Sequence, residues 1–312
     1  MGKGLTSYVK RYGCGMNETI LPLPYRSLSM DRIIKLHHRV ASTPALSCGP
    51  GCIRPCGPLS DLSEAFHQAA RWRSSRYGWR SRADHWVTPS FQKALRDHPR
   101  SVAEQRRILS ARSYISAHWP IDLAASVIQA TCARSVLDPC AGWGDRLAAA
   151  LAIPFTRRYV GFDTNRLNEA GYQSQIETFS ENKMDASVTL APFEDACIQP
   201  GTFDLVMTSP PFWCLEHYST DRDQSNLRYE NLDNWLDGFL RPMISKSIDA
   251  IRSGGHLCLH SSNFLIRNQL VHLDDIVVDL CKGLDCKADK SLCIRSRSAF
   301  QNVEHVRIWR KP

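Results

Sequence analysis

From about Ser135 onward, short apolar runs rich in β-branched residues alternate with longer amphipathic stretches, the pattern of parallel strands joined by crossover helices. Strands are predicted at 134–138, 157–163, 186–191 and 203–209, with helices at 145–152 and 168–182 between them. After a polar loop, Leu236, Leu240, Met243 and Ser247 fall on one helical face, and Gly254-Gly255 reads as the stop of that helix. A fifth strand at 256–262, a helix near 272–282 and two strand-like pieces at 290–296 and 304–310 complete the series. Together these predict an α/β domain over 112–312 with a doubly wound, mostly parallel, seven-stranded sheet. Ligands of such sheets bind beyond the carboxyl ends of the strands.

Residues 1–111 break the pattern. Pro, Gly, Ser and Arg are frequent there, and only 61–75 and 103–115 read as helices, the first with Ser60 or Asp61 as N-cap. An accessory region of irregular structure is expected. Charge sharpens the contrast: residues 1–120 carry 19 Lys and Arg against 7 Asp and Glu, whereas 121–312 carry 20 against 24. The basic part is the one expected to meet a polyanion.

Cys140, Cys197, Cys258 and Cys281 fall in apolar elements and read as small core residues of a reducing compartment. No apolar run approaches the roughly 18 residues needed to span a bilayer, so a soluble, intracellular protein without a membrane partner is expected. Gly2 and Thr6 match the loose pattern for myristoylation, but a single acyl chain holds a membrane only weakly.

Two motifs carry chemistry. The first strand ends in Asp138, and the turn after it holds Cys140, Gly142 and Gly144 before a helix begins. Paired glycines let backbone pass close to a ligand, and the helix start offers free N–H groups. Asp163 closes the next strand, where a carboxylate can receive the two hydroxyls of a ribose. A nicotinamide or an S-adenosylmethionine site fits this arrangement, and the absent third glycine favours the latter. The second motif is Ser209-Pro210-Pro211-Phe212, at the carboxyl end of the fourth strand. Two prolines remove two N–H donors and fix two φ angles, so the carbonyls and the Ser209 hydroxyl are held as acceptors. Acceptors of this kind can direct the lone pair of an aryl amine, while Phe212 offers a face for a base to stack on.

Residues 138–144 (DPCAGWG) resemble the cofactor motif of class I S-adenosylmethionine-dependent methyltransferases, and Thr208 to Phe212 is similar to the catalytic motif of the DNA amino-methyltransferases. The serine form is typical of the cytosine-N4 branch. CLEHY (214–218), QSNLRY (224–229) and WLDGFL (235–240) add to the likeness, which covers roughly 112–312. The resemblance implies a Rossmann-like class I methyltransferase fold, S-adenosyl-L-methionine as cofactor and DNA as partner. Residue by residue, it implies that Asp138, Gly142 and Gly144, with Cys140 in the same turn, hold the methionine part. Asp163 would take the ribose, Asp195 the adenine amino group, and His118, Trp119 and Pro120 would close over the methionine. Ser209, Pro210, Pro211 and Phe212 would grip an unpaired or flipped base. Cys140 and Trp143 depart from the family pattern, where phenylalanine and a small residue are usual. No insertion large enough for a separate recognition domain follows the catalytic motif, so recognition would fall to the basic N-terminal region and to the loop from Trp213 to Asn231, with Trp213, Glu216 and Tyr218.

In that region Arg71, Arg73, Arg76 and Arg80 interleave with Trp72, Tyr77 and Trp79, which reads as a nucleic-acid contact or as a solvated helix face over buried aromatics. The expected reaction needs no metal. Cys48, Cys52 and Cys56, with Cys14, His37 or His38, form a zinc candidate whose alternative is a plain loop. His256 and His260 read as hydrogen-bonded core residues. The sharpest expectation is methyl transfer to cytosine N4 of DNA. Adenine N6, an RNA base, or an idle nucleic-acid-binding module on the same fold are the alternatives.

Overall fold

The computed structural model describes residues 20–46, 51–53, 57–180, 184–266, 269–292 and 304–312. Its strands are β1 (Gly51–Ile53), β2 (Ser75–Arg76), β3 (Ser135–Asp138), β4 (Arg158–Asp163), β5 (Asp185–Leu190) and β6 (Phe203–Thr208). They continue as β7 (Glu216–His217), β8 (Ile251–Ser262), β9 (Phe264–Ile266), β10 (Gln269–Val271), β11 (Asp285–Leu292) and β12 (Glu304–Arg310). Eight of them make one sheet in the order β1-β11-β12-β8-β6-β3-β4-β5. Only β12 runs against its neighbours. The seven strands from β11 to β5, with β12 reversed, form the Rossmann-like class I methyltransferase sheet, and β1 adds an edge.

Successive side chains of a strand point to opposite faces and the central runs are continuously apolar, so the centre of this sheet is buried on both faces. Val136, Tyr159, Leu205, Met207 and Cys258 enter one core, while Leu137, Phe162, Val206, Leu257 and Leu259 enter the other. The chain order reverses between β3 and β6, so the connections leaving their carboxyl ends diverge and open a crevice there.

The glycine pair stops no helix. The helix Arg241–Ala250 ends before it, and Gly254-Gly255 lies inside β8. Gly254 has φ +75°, the register against β6 shifts between Phe203 and Leu205, and a Cβ on Gly255 would stand 2.9 Å from the Asp204 carbonyl. The pair therefore serves a bulge. Strand β11 begins at Asp285, ahead of the predicted 290–296, with its own irregularity between Cys286 and Ala288. Of the four cysteines read as core, Cys258 and Cys281 are buried, Cys140 is half-buried and Cys197 is exposed.

The N-terminal region holds more regular structure than its weak periodicity predicts. Helices occupy Met30–Ala41, Asp61–Arg71, Arg82–Trp86, Pro89–Asp97 and Val102–Arg112. Asp61–Arg71 and Val102–Arg112 answer to the two expected helices, and Met30–Ala41, Arg82–Trp86 and Pro89–Asp97 are additional. Ile33, Val40 and Leu62 join the core that contains Val136 and Leu147. Burying each such side chain stabilises by about 1.5–3 kcal/mol. Trp72, Trp86, Phe91, Leu95 and Leu109 form a separate small core. Neither proposed N-cap caps. Ser60 makes no side-chain cap bond, and the buried Asp61 carboxylate accepts from Arg26 at 2.6 Å and from Arg32 at 2.8 Å. Among the described residues, no helix is long and apolar enough to cross a membrane.

Candidate active site

A cavity of about 390 Å³ lies at the reversal point, beyond the carboxyl ends of β3, β4, β6 and β8. Cys140, Gly142, Asp163, Ser209 and Phe212 all line it, so the structure brings both sequence motifs to one site. They are also physically joined: the Cys140 N–H donates to Thr208 Oγ1 at 3.1 Å. Burial pushes the Cys140 thiol well above its ordinary range, so it is a neutral wall rather than a nucleophile.

Asp138 corrects the expectation of a ligand contact. It is 0% exposed and does not line the cavity. Its Oδ2 accepts from Arg146 Nε at 2.7 Å and from the Tyr159 hydroxyl at 2.8 Å. Arg146 also donates to the Cys140 carbonyl and stands 5.4 Å over the Trp119 ring, which makes it part of the cavity wall. Asp138 thus anchors the turn from beneath.

The glycine turn needs left-handed backbone, with φ +60° at Gly142 and +69° at Gly144. Gly144 does not reach the cavity either; it faces inward, where a Cβ would meet Gln175 Oε1 at 2.3 Å and His67 Nε2 at 2.7 Å. Buried His67 is itself held between Asn168 (3.0 Å) and Gln175 (3.2 Å), so the helix Asp61–Arg71 supports the turn from behind. Gly144→Ala is therefore expected to cost at least about 1–2 kcal/mol from the backbone alone, read as a lower urea midpoint.

Asp163 lines the cavity at the end of β4. Its two oxygens accept from the Gly142 N–H and the Asn165 N–H, each at 2.7 Å. Burial pushes its carboxyl up to about 6, against the pull of those two hydrogen bonds. The structure does not bring Asp195, expected to take the adenine amino group, to the cavity. Asp195 is 57% exposed and paired with Arg228 at 2.9 Å, whereas Glu194 and Phe193 line the wall. The short helical turn Phe193–Asp195 sends adjacent side chains to different sides.

The segment Ser116 to Pro120 forms another wall, and a buried charged chain holds it. His118 Nδ1 meets Asp145 Oδ1 at 2.9 Å, His118 Nε2 meets Glu64 Oε2 at 3.0 Å, and the Trp119 N–H donates to Asp145 at 3.0 Å. Arg71 completes the chain, giving Nε to Glu64 and Nη1 to the Ser116 carbonyl, both at 2.7 Å. Burial alone would raise Glu64, but the hydrogen bonds from His118 and Arg71 hold it down to about 2. At 8% exposure, Arg71 is a support and is not available to nucleic acid.

On the opposite side, the Leu215 N–H donates to the Phe212 carbonyl at 2.9 Å, closing a turn whose Trp213 has φ +36°. Phe212 meets Phe264 edge-on at 5.9 Å. Trp213 packs into the second core and does not line the cavity. Glu216 and Tyr218 do, and the Glu216 carboxylate accepts from Tyr114 and, at 2.5 Å, from Tyr218. Arg76 reaches the cavity; Arg73 and Arg80 do not. His260, read as a core residue, is hydrogen-bonded to Glu304 at 2.9 Å, and both line the wall. These partners lie far apart in sequence, and no local signal marked them. Cys48 and Cys56 lie outside the described residues, and only the backbone of Cys52 is described. Among the described residues, no group of three His, Cys, Asp or Glu is placed to hold a metal.

No family model and no curated protein matches the chain. Solved structures similar to it include the N-methyltransferase NodS from Bradyrhizobium japonicum WM9, at 14% identity and a TM-score of 0.39, over 58% of this chain and 86% of that one. TehB from Haemophilus influenzae matches at 14% identity and a TM-score of 0.39, over 57% of each chain. The cyclase SpnF matches at 12% identity and a TM-score of 0.45, over 63% of this chain and 84% of that one. The match thus spans little more than half the length of TehB.

Proposed function

We propose that this chain transfers a methyl group from S-adenosylmethionine to the exocyclic amino group of a DNA base, cytosine N4 first. The observation that supports it is the shared cavity: the glycine turn with Asp163 and the Ser209 to Phe212 acceptor set line the same walls. The volume, about 390 Å³, is within the roughly 300–1,000 Å³ of small-molecule sites. The donor set fits the cofactor. Asp163 retains lone pairs for ribose hydroxyls, Phe193 and Glu194 offer a ring face and an acceptor for adenine, and Trp119, Pro120 and Arg146 bound the remaining wall. Bound S-adenosylmethionine supplies an electrophilic methyl group on a sulfonium.

The protein's own contribution is positioning. Ser209 Oγ and the carbonyls beside the prolines accept the two N–H bonds of the amine, which localises its lone pair, and Phe212 supports the ring. The Phe264 edge holds Phe212, so the platform is rigid. The amine proton leaves late, to water or to an acceptor, and no general base is required.

Cofactor affinity carries a pH signature. An ionised Asp163 is needed to accept from hydroxyls, so a pKa of about 6 predicts that affinity falls roughly tenfold between pH 7.5 and 5.0, in proportion to the ionised fraction. The sign separates this from unfolding: a carboxyl raised in the folded state favours folding when protonated, so Asp163 does not itself destabilise the chain over that range. Equilibrium binding of the cofactor at several pH values checks it, and a flat profile rejects the ribose role. The reaction itself is tested with labelled cofactor and separate DNA and RNA pools. Label in DNA supports the reading; measurable cofactor binding with no label in DNA rejects it.

A further inference from the structure

Among the described residues only two large aromatic side chains are exposed, Tyr77 and Trp79, each at 54%. Both sit on one tight turn, closed by Arg76 and Trp79, whose N–H and carbonyl groups bond each other at 2.7 and 3.2 Å. Gly78 at its tip has φ +78° and nothing within 4 Å of where a Cβ would stand, so the tip projects. The turn is fastened to the loop that follows the acceptor motif. The Tyr77 N–H donates to the Leu215 carbonyl at 3.0 Å, and Ser75 and Arg76 pair with His217 and Glu216. Arg76 lines the cavity, while Arg80 and Arg112 are exposed, and the Arg80 carbonyl accepts from the Tyr114 N–H at 2.8 Å. None of these three guanidinium groups makes an ion pair among the described residues.

Exposed rings beside unpaired arginines, pinned to a loop that lines the cavity, match the chemistry of a nucleic-acid strand: π-faces for bases and cations for phosphates. We propose that this turn is a stacking tip, on which Tyr77 and Trp79 take the bases flanking the target nucleotide while Arg76 and Arg80 take its phosphates. The target base alone enters the cavity. The inference rests on the base-methylation reading and adds where the strand is held.

The test is fluorescence anisotropy with a labelled single-stranded DNA oligonucleotide, run on the full chain alongside cofactor binding. Trp79→Ala is expected to raise the dissociation constant about 5- to 150-fold, the range for one lost base–aromatic stack. The salt dependence should stay as it was, and Trp79→Phe should restore most of the affinity. Arg80→Ala should instead lower the salt slope by about one. Both rings are exposed, so cofactor affinity and thermal midpoint serve as controls that should not move. A Tyr77→Ala, Trp79→Ala double variant that binds the oligonucleotide as tightly as the parent, while the parent binds and methylates it, overturns the stacking tip and leaves the methylation reading standing. A parent chain that neither binds nor methylates oligonucleotides overturns both.

Discussion

Asp138→Ala is expected to destabilise the fold by about 3–5 kcal/mol, the cost of breaking a buried ion pair from one side. Asp138 and Arg146 are both buried, with Nε and Oδ2 2.7 Å apart, and the Tyr159 hydroxyl shares the same oxygen. Removing the carboxylate strands a guanidinium in the protein interior and leaves a buried hydroxyl with one partner fewer. The charge also fixes the turn, because Arg146 holds the Cys140 carbonyl. The double replacement Asp138→Leu, Arg146→Met removes both charges and should recover most of the stability. Urea unfolding of the three proteins measures this. An Asp138→Ala midpoint equal to the parent's, together with lost cofactor affinity, would return Asp138 to the ligand role that its place at the strand end first implied.

Pro210→Ala is expected to lower kcat/KM for an oligonucleotide by about a hundredfold, the scale of an ångström-sized misplacement in a reacting pair. The substitution frees φ at position 210 and adds an N–H donor among groups that must accept from the amine. Pro210 lines the shared cavity but is not among the residues assigned to the cofactor, so the cofactor dissociation constant should be unchanged. Steady-state kinetics with parallel binding measurements separate the two effects. Full activity in this variant would refute the role given to the proline pair.

The centre of the fold was legible because its signals are local. Strands β3, β4 and β6 and the helix Asp145–Ala152 follow from alternation and from glycines at the turn, and Asp163 follows from being the carboxylate that ends β4. What the sequence left hidden depends on contacts between distant residues. The role of Asp138 turns on Arg146 folding back beneath the turn, and that of Gly144 on His67 and Gln175 packing against it. That Glu194 rather than Asp195 lines the cavity turns on the direction of one short helical turn, which no period of two or of 3.6 resolves. Arg71 looked like part of a basic surface, yet Glu64 and the Ser116 carbonyl draw it inside. The helix Met30–Ala41 is hidden for the same reason: Ile33, Leu36 and Val40 complete a core built mainly elsewhere in the chain.

The central claim is that the Ser209 to Phe212 set and the Asp163 turn form one methyl-transfer site for a base amine. Its most direct test is to incubate the chain with isotope-labelled S-adenosylmethionine and DNA, digest the product to nucleosides and identify the labelled one by mass spectrometry. N4-methylcytosine is the expected product, abolished by Asp163→Ala through loss of cofactor binding and strongly reduced by Pro210→Ala without such loss. Label found only on a ring carbon, on a phosphate or on no nucleoside would contradict it.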